Sequence, residues 1–250
     1  MIKPLVHRLL RRAGFELFNR RRYHAHDGVF TKHHARFLTD PAFAAAYQRG
    51  LQAAQGADPD FPWRVHIALW AAELASRVPG AFVECGVNAG FLSSAILHHL
   101  DLGNRPYYLL DTFAGPPVEQ FSPREVAEGR AEHARDAEAR GAYVKDLDRI
   151  RANFAAWPNV HLIPGRIPYT LTAIDSPRVA FLHLDLNCAL PEREALRYFW
   201  PRLSSGAVVL LDDYCYRGHE SQGDAIDELA RELSANVLAL PTGQGVIMRQ

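Results

Sequence analysis

Acidic side chains that follow apolar runs are the first candidates for chemistry in this sequence. The stretch "AFVECGVNAGFLSS" (residues 81–94) ends an apolar run at Glu84 and continues through a loop that contains Gly86 and Gly90. A strand that passes through a glycine turn into a helix is typical of nucleotide sites, because backbone amides there can approach a ligand. The dinucleotide fingerprint needs glycine at three positions, and Asn88 takes the middle one, which favours a cofactor without a pyrophosphate. The alternative is a plain turn that binds nothing.

Asp111 ends the next apolar run, "YYLLD". An acidic side chain at that position can accept the hydroxyl hydrogens of an adenosine ribose, and it can also cap the segment that follows. Together with the glycine loop it favours an adenosine-type cofactor. S-adenosylmethionine fits, with Glu84 and the loop amides at its amino-acid end.

Three further aspartates also end apolar runs: Asp185 in "HLDLN", and Asp212 and Asp213 in "LLDDY". Carboxylates gathered at one edge of a sheet repel one another unless a cation or a proton lies among them. Oxygen ligands alone suit a hard ion such as Mg²⁺ or Mn²⁺. These residues therefore predict a metal site, and the alternative is that Asp212 and Asp213 only cap the next loop.

The elements that must position these groups alternate between short apolar runs and helical stretches from residue 81 onward. This alternation predicts an α/β fold with a mostly parallel, doubly wound sheet and crossover helices. The turn between Pro241 and Gly245 joins the last two runs and predicts a closing antiparallel hairpin. The candidate strands are "AFVEC", "YYLLDTF", "NVHLIPG", "VAFLHLDLN", "AVVLLDDY", "VLAL" and "QGVIMR".

The segment before the first of these strands is predicted to be helical. "KPLVHRLLRRAGFELFNRRRY" predicts an arginine-rich amphipathic helix interrupted at Gly14. Such a helix can lie on a membrane surface, but packing on the domain or on a second subunit is favoured, so a homo-oligomer is expected. A second helix is predicted after Asp40, with Pro41 at its first position. In a third helix, "FPWRVHIALWAAELASRVPG", large apolar residues recur near helical spacing and should cover one face of the sheet: Trp63, Ile67, Trp70 and Leu74.

The composition narrows the function classes further. The 250 residues are 48% hydrophobic, enough for a sizeable core, and 28 basic side chains balance 28 acidic ones. The absence of net charge gives no support for a nucleic-acid partner. Three scattered cysteines form no disulfide framework and indicate a reducing compartment. With neither a secretory signal nor a membrane span in the pattern, the expected location is the cytoplasm.

Four ordered motifs then resemble a known family. "FVECGVNAGFLSS", "YYLLDTFAGPP", "FLHLDLN" and "PRLSSGAVVLLDDY" with "AIDEL" resemble the macrocin O-methyltransferase family over roughly residues 80–230. These are class I methyltransferases that use S-adenosylmethionine and a divalent metal to methylate sugar hydroxyls of natural products. "NCALPEREALRYFWPRL" and "LPTGQGVI" resemble a bacterial subgroup linked to surface-polysaccharide genes. The resemblance implies a Rossmann-like domain at residues 79–250, and residues 1–78 are expected to form a helical extension and lid.

The resemblance also implies the site residues. The metal ligands implied are Asp185, Asp212 and Asp213. The residues expected around the cofactor are Glu84, Gly86, Val87, Asn88, Gly90, Ser93, Asp111, Thr112, Phe113, Gly165, Arg166 and Asp185.

One departure from the family concerns the general base. Members carry an acidic or histidine side chain two or three positions after the first metal aspartate, where this chain has Asn187 and Cys188. We therefore expect Asn187 to orient the acceptor or a metal-bound water, and His219 to remove the proton. The remaining alternatives for proton removal are metal-assisted loss to water and the histidines His33 and His34.

The function predicted from the sequence is S-adenosylmethionine-dependent, metal-assisted O-methylation of a sugar in a glycan or glycosylated metabolite. Two alternatives stay open at this point. One is a nicotinamide-dependent oxidoreductase on a similar sheet. The other is a catalytically degenerate methyltransferase fold kept for binding, for which Asn187 is the best evidence.

Overall fold

The computed structural model describes residues 2–15 and 23–250 of the chain. The helices are α1 Ile2–Arg12, α2 Pro41–Ala53, α3 Pro62–Ala75, α4 Phe91–His99, α5 Pro123–Ala127, α6 Arg130–Ala139, α7 Leu147–Phe154, α8 Ala189–Phe199 and α9 Glu220–Glu232. The strands are β1 His24–His26, β2 Val29–Thr31, β3 Ala81–Cys85, β4 Tyr107–Asp111, β5 Val160–Pro164, β6 Val179–Leu184, β7 Leu203–Leu211, β8 Leu238–Ala239 and β9 Gly245–Met248.

Seven of these strands form the central sheet in the order β5-β4-β3-β6-β7-β9-β8. The five strands from β5 to β7 pair in parallel, whereas β9 is antiparallel to both β7 and β8. The predicted parallel sheet with a closing hairpin is confirmed. The strand order reverses at β3, and ligands of such sheets bind beyond the carboxyl ends at this switch point.

The strands are apolar on both faces, and helices cover both sides. Side chains of a strand alternate between faces, so Phe82 of β3 joins one buried cluster and Val83 the other. The first cluster includes residues of α2, α3 and α4, and the second includes residues of α8 and α9. The N-terminal helices α2 and α3 therefore share a core with the sheet.

The structure of the N-terminal segment agrees in part with the prediction from the sequence. Asp40 caps α2 by accepting a hydrogen bond from the amide of Ala42 at 2.9 Å, with Pro41 in the first turn, as predicted. Strands β1 and β2 form a small antiparallel hairpin that the sequence pattern does not predict. Helix α1 ends before Gly14, which has a φ of +82°. The rest of the predicted arginine-rich helix, residues 16–22, lies outside the described residues.

Helix α3 covers one face of the sheet as predicted, with Ile67 and Leu74 packed against the core, but not every large residue lies on that side. Trp70, one of the large residues whose spacing indicates the apolar face, is 46% exposed. The buried face is instead made of smaller side chains such as Val65, Ala68 and Ala72. This helix is apolar nearly all round, so the spacing of its large residues does not identify the packed face. Among residues 2–15 and 23–250, no helix is both long and apolar enough to cross a membrane.

Candidate active site

Two adjoining cavities lie at the carboxyl ends of β3, β4, β6 and β7. The smaller, about 100 Å³, is lined by Asp111, Thr112 and Gly165 among others. The larger, about 470 Å³, is lined by residues that include Glu84, Arg64 and Asp212. Both cavities are lined by Gly86, Asn88, Val144 and Asp185. The predicted cofactor residues and the predicted metal residues thus meet around one glycine turn.

The glycine turn is required by close packing. Gly86 has a φ of +93°, and a Cβ at this position would lie 1.7 Å from the carbonyl oxygen of Asp185. Gly90 has a φ of +76°, and its Cβ would meet the ring of Phe154 at 2.7 Å. The first glycine therefore lets the ends of β3 and β6 approach each other. The second lets α4 pack against α7.

Asp111 fastens the glycine turn to the end of β4. Its Oδ2 accepts hydrogen bonds from the amides of Val87 at 2.7 Å and Asn88 at 2.8 Å. Its Oδ1 accepts from the amide of Phe113 at 2.7 Å. The capping role is therefore present, and a ribose bound at this carboxylate would share oxygens that already hold the loop.

Glu84 lies buried between the two halves of the site. One carboxylate oxygen accepts from the hydroxyl of Tyr107 at 3.2 Å, and the other is 3.3 Å from Nδ1 of His183. Nε2 of His183 is 3.8 Å from Asp212 and makes no hydrogen bond to the described residues. Burial lowers the pKa of His183, but the nearby carboxylates of Asp212 and Glu84 outweigh burial and raise this pKa to about 10. A protonated His183 therefore lies between the carboxylates of Glu84 and Asp212.

A guanidinium lies among the predicted metal ligands. Nη1 of Arg64 donates to Oδ2 of Asp212 at 2.5 Å and to Oδ1 of Asp213 at 3.4 Å. Nε of Arg64 donates to Asp27, in the turn of the β1–β2 hairpin, at 2.5 Å. Burial lowers the pKa of Arg64, but these three carboxylates outweigh it and raise the pKa. The pKa of Asp212 is lowered, since Arg64 and His183 outweigh its burial.

Asp185 differs from the other two aspartates. Its Oδ1 accepts from the amide nitrogen of Asn187 at 2.9 Å. Its Oδ2 accepts no hydrogen bond from the part of the chain that the structure describes. Burial, followed by the charges of Asp212 and Asp213, raises the pKa of Asp185 well above its usual value. Among the described residues, Asp185 and Asp213 thus each keep one oxygen without a hydrogen bond, and of these two only Asp185 lines the cavities.

His219 and Asn187 are joined by Arg130. The guanidinium of Arg130 hydrogen-bonds Nε2 of His219, and its Nη2 donates to the backbone and side-chain oxygens of Asn187 at 3.0 and 3.3 Å. A guanidinium only donates, so Nε2 of His219 must be the acceptor. Nδ1 of His219 lies 3.1 Å from Asp213 without hydrogen-bond geometry. His219 lines neither cavity.

The structure brings most predicted residues to the cavities and leaves some outside. The predicted residues that line one cavity or both are Glu84, Gly86, Val87, Asn88, Asp111, Thr112, Gly165, Asp185, Asn187 and Asp212. Gly90 and Asp213 line neither cavity, but Gly90 donates its amide hydrogen to Val87 and Asp213 accepts from Arg64. Ser93 and Phe113 are buried away from the cavities, and the Arg166 side chain is half exposed and pairs with Glu119.

The other residues considered as bases do not line the cavities. His33 and His34 are exposed and line neither cavity. Burial raises the pKa of the Cys188 thiol to about 12, which makes it a poor proton acceptor near neutral pH. Asp185, in contrast, lines both cavities and carries a carboxylate that can accept a proton.

Three polar residues of the site are not among those predicted from the sequence. Arg64 and Arg130 form the ion pairs described above, and Nε2 of Gln244 donates to Oδ1 of Asp212 at 2.9 Å. The signal for Arg64 is an arginine inside the apolar stretch "FPWRVHIALW", since an arginine there is buried only when it is paired. Gln244 lies in "LPTGQGVI", and its own oxygen accepts from the Thr242 hydroxyl at 3.1 Å, which fixes the amide orientation.

The donor set at the aspartates fits a metal ion poorly. Both oxygens of Asp212 and one oxygen of Asp213 already accept hydrogen bonds from Arg64 or Gln244. In the described part of the chain, no group of three or more His, Cys, Asp or Glu side chains is arranged to hold a metal ion. S-adenosylmethionine fits better, because Glu84 and the orphaned Nε2 of His183 are buried polar groups that line the larger cavity.

The sequence matches a family model described as Macrocin-O-methyltransferase (TylF) over residues 68–234. A relative from Streptomyces olivaceus, 8-demethyl-8-(2,3-dimethoxy-alpha-L-rhamnosyl)-tetracenomycin-C 4'-O-methyltransferase, is 32% identical over 62% of this chain and 65% of its own length. Mycinamicin III 3''-O-methyltransferase from Micromonospora griseorubida is 26% identical over 64% of this chain and 68% of its own length. The chain therefore spans about two thirds of these curated relatives.

Solved structures show the same fold. The O-methyltransferase NovP superposes with a TM-score of 0.63 at 22% identity, covering 77% of this chain and 82% of that one. The calicheamicin methyltransferase CalS11 superposes with a TM-score of 0.59 at 17% identity, covering 84% of this chain and 93% of that one. Both likenesses support a class I, Rossmann-like architecture.

Proposed function

Since the chain belongs to the macrocin O-methyltransferase family, we propose that it transfers the methyl group of S-adenosylmethionine to a hydroxyl of a sugar in a glycan or glycosylated metabolite. The name of the Streptomyces relative describes a substrate that carries a rhamnosyl group, which supports a sugar acceptor. The family match also favours this function over the nicotinamide-dependent alternative.

The observation that carries the proposal is the adjoining pair of cavities on either side of Gly86. Asp111 and Thr112 line one cavity, while Glu84 and His183 line the other. This arrangement supports a ligand with a ribose near Asp111 and an amino-acid end near Glu84, as S-adenosylmethionine has. When bound, that cofactor supplies an electrophilic methyl group on a sulfonium. The protein must hold the acceptor oxygen in line with it and exclude water.

The acceptor hydroxyl must also lose its proton, and Asp185 is the residue we assign to this step. It lines both cavities, and its Oδ2 has no hydrogen-bond donor among the described residues. Oδ2 of Asp185 would accept the proton of the acceptor hydroxyl, while a bound cofactor would supply the methyl group and leave as the neutral thioether. Asn187, bonded to Asp185 and Arg130, orients the carboxylate. The earlier assignment of the proton to His219 stays a prediction.

Assistance by Mg²⁺ or Mn²⁺ is a separate prediction with weaker support. Asp185, Asp212 and Asp213 lie close together and need positive charge nearby, which supports a metal ion. Hydrogen-bond donors of the protein, however, already occupy most of their oxygens. Residues 1–78 as a lid likewise stay a prediction, supported by the lining of the larger cavity by Phe61 and Arg64.

Calorimetry tests the proposed cofactor directly. S-adenosylhomocysteine, the product form, should bind the full chain, and NAD⁺ should not. Comparing the mass spectra of glycans and glycosylated metabolites from cells with and without the gene should then reveal an acceptor that has lost a methyl group. Binding of NAD⁺ without S-adenosylhomocysteine would reject the assignment.

A second function, binding without catalysis, is favoured by one observation. Asn187 replaces a group able to take a proton, and the basic nitrogen of His219 is occupied by Arg130. A chain that binds S-adenosylhomocysteine but methylates none of the acceptors found in the mass-spectrometric comparison would support this second function.

A further inference from the structure

The positive charge among Asp185, Asp212 and Asp213 is already present in the chain. Arg64 is 9% exposed, and its Nη1 bridges Asp212 and Asp213 while its Nε binds Asp27. Its guanidinium also lies 5.0 Å from the centre of the Tyr216 ring. Contacts with three carboxylates and an aromatic face hold this cation from several sides, so it is built into the site.

A divalent ion would need oxygens that these donors now occupy. Mg²⁺ is held octahedrally, with protein carboxylates supplying some of its oxygen ligands. Oδ2 of Asp212 and Oδ1 of Asp213 both bind Arg64, and Oδ1 of Asp212 binds Gln244. Metal binding at these oxygens would displace a buried guanidinium from two partners. The displaced arginine would then be left with Asp27.

We propose that the guanidinium of Arg64 takes the place of the divalent cation in this chain, and that Mg²⁺ and Mn²⁺ do not bind at the three aspartates. Nη2 of Arg64 donates to none of the residues that the structure describes, and Arg64 lines the larger cavity. This nitrogen is therefore left to donate to the acceptor oxygen. That last role rests on the proposed function, whereas the charge pairing does not.

Asn187 is consistent with a site neutralised by arginines. Its amide donates to Asp185 and its oxygen accepts from Arg130, so one neutral side chain bridges a carboxylate and a guanidinium. A carboxylate at this position has no hydrogen to donate to Asp185 and would add another negative charge. A site whose carboxylates are neutralised by arginines thus accounts both for Asn187, where the family has an acidic or histidine side chain, and for Arg64.

Arg64 lies outside the part of the chain that matches the family model. Arg64 lies in the first turn of α3, before the start of the family match at residue 68. Pro62 begins the helix, and Val65 and Ala68 anchor it on the sheet. The cation therefore comes from the N-terminal helices, together with its partner Asp27, whereas Asp212 and Asp213 come from the matched part.

Titration with Mn²⁺, followed by the paramagnetic resonance signal of the free ion, tests the proposal on the full chain. The wild-type protein should leave the free Mn²⁺ signal unchanged. Arg64→Met removes the charge, frees carboxylate oxygens and should create stoichiometric Mn²⁺ binding. Arg49→Met is the matched control, because Arg49 is another partly buried arginine whose bonds go to Asn153, and it should create no Mn²⁺ binding.

Two results would overturn the proposal: stoichiometric Mn²⁺ binding by the wild type, or no gain of binding in a folded Arg64→Met variant. Should that variant not fold, Arg64→Gln replaces it, and the wild-type titration decides in either case. Calorimetry with S-adenosylhomocysteine on the same samples separates the two claims. If the wild type binds neither Mn²⁺ nor S-adenosylhomocysteine, the assignment of Arg64 as the resident cation stands. The proposed methyltransferase function is then rejected.

Discussion

The proposed site has two halves, a cofactor half around Asp111 and the glycine turn and an acceptor half around Arg64 and the three aspartates, and they are held together by different kinds of contact. Around the cofactor cavity, Asp111 binds backbone amides of Val87, Asn88 and Phe113, the farthest of them 24 residues away. At the acceptor end, side chains bind side chains, and Arg64 lies 148 residues from Asp212. Backbone amides remain available whichever side chains surround them. Buried charge pairs, in contrast, become costly when one partner is lost.

The largest effect should follow from changing Asp185. Asp185→Asn keeps the size of the side chain and removes the proton acceptor, so kcat should fall about 10² to 10⁴-fold, the usual contribution of a general base. The measurement is methyl transfer to the acceptor identified by mass spectrometry.

The matched variant is His219→Gln, which changes the other candidate base. Because Arg130 occupies Nε2 of His219, the loss in kcat should be much smaller than for Asp185→Asn. If His219→Gln instead loses more kcat than Asp185→Asn and removes the acid limb of the pH profile, His219 is the base that accepts the proton, as the sequence predicts.

The next effect is on stability. Arg64→Met leaves the buried Asp213 and the partly buried Asp27 and Asp212 without their cation and should lower the free energy of unfolding by about 3 to 5 kcal/mol. Chemical denaturation measures this change. Arg49→Met should cost less, since its guanidinium leaves behind a neutral asparagine.

A double variant sharpens the same test. Adding Asp212→Asn to Arg64→Met removes one of the orphaned charges and should recover part of the lost stability. If the two effects simply add, Arg64 and Asp212 are not coupled, and the acceptor half is not held by charge pairing.

The contrast between the halves also explains what the sequence could predict. Gly86 and Asp111 follow strands directly, so short motifs locate them, and the structure confirms their place at the carboxyl ends. The closing hairpin and the Asp40 cap are likewise local features. Arg64 is not predictable in this way, because its role depends on the packing of α3 and on partners far along the chain.

Helix α3 shows the physical reason most clearly. Its large residues suggest one face, yet Trp70 is 46% exposed while Ala68 is fully buried. Small side chains let this helix approach the sheet, and that approach brings Arg64 to the carboxylates. Side-chain size along a nearly apolar helix does not reveal which face is packed, so neither the contact face nor the partners of the buried arginine could be assigned from the pattern.

A smaller effect is expected in the cofactor half. Asp111→Ala loses hydrogen bonds to the glycine turn and the proposed contact with ribose, so S-adenosylhomocysteine should bind roughly ten- to a hundredfold more weakly, about 1.5 to 3 kcal/mol. Calorimetry measures the affinity, and the denaturation midpoint reports damage to the loop. Unchanged affinity would show that the cofactor does not use Asp111.

The smallest effect on either half should follow from removing residues 1–22. Leu9 and Phe15 are 58% and 65% exposed next to arginines of α1, and apolar groups on a basic helix suit either a protein contact or an anionic membrane surface. We expect the deletion to change the oligomeric mass in light scattering and to leave the affinity for S-adenosylhomocysteine unchanged, because none of residues 2–15, the part of this segment that the structure describes, lines the two cavities. Liposomes of anionic lipid are the control, since strong binding by the intact chain, lost in the deletion, would assign the segment to a membrane. A loss of cofactor affinity in the deletion would instead show that the segment supports the site, and the division into two independently held halves would be wrong.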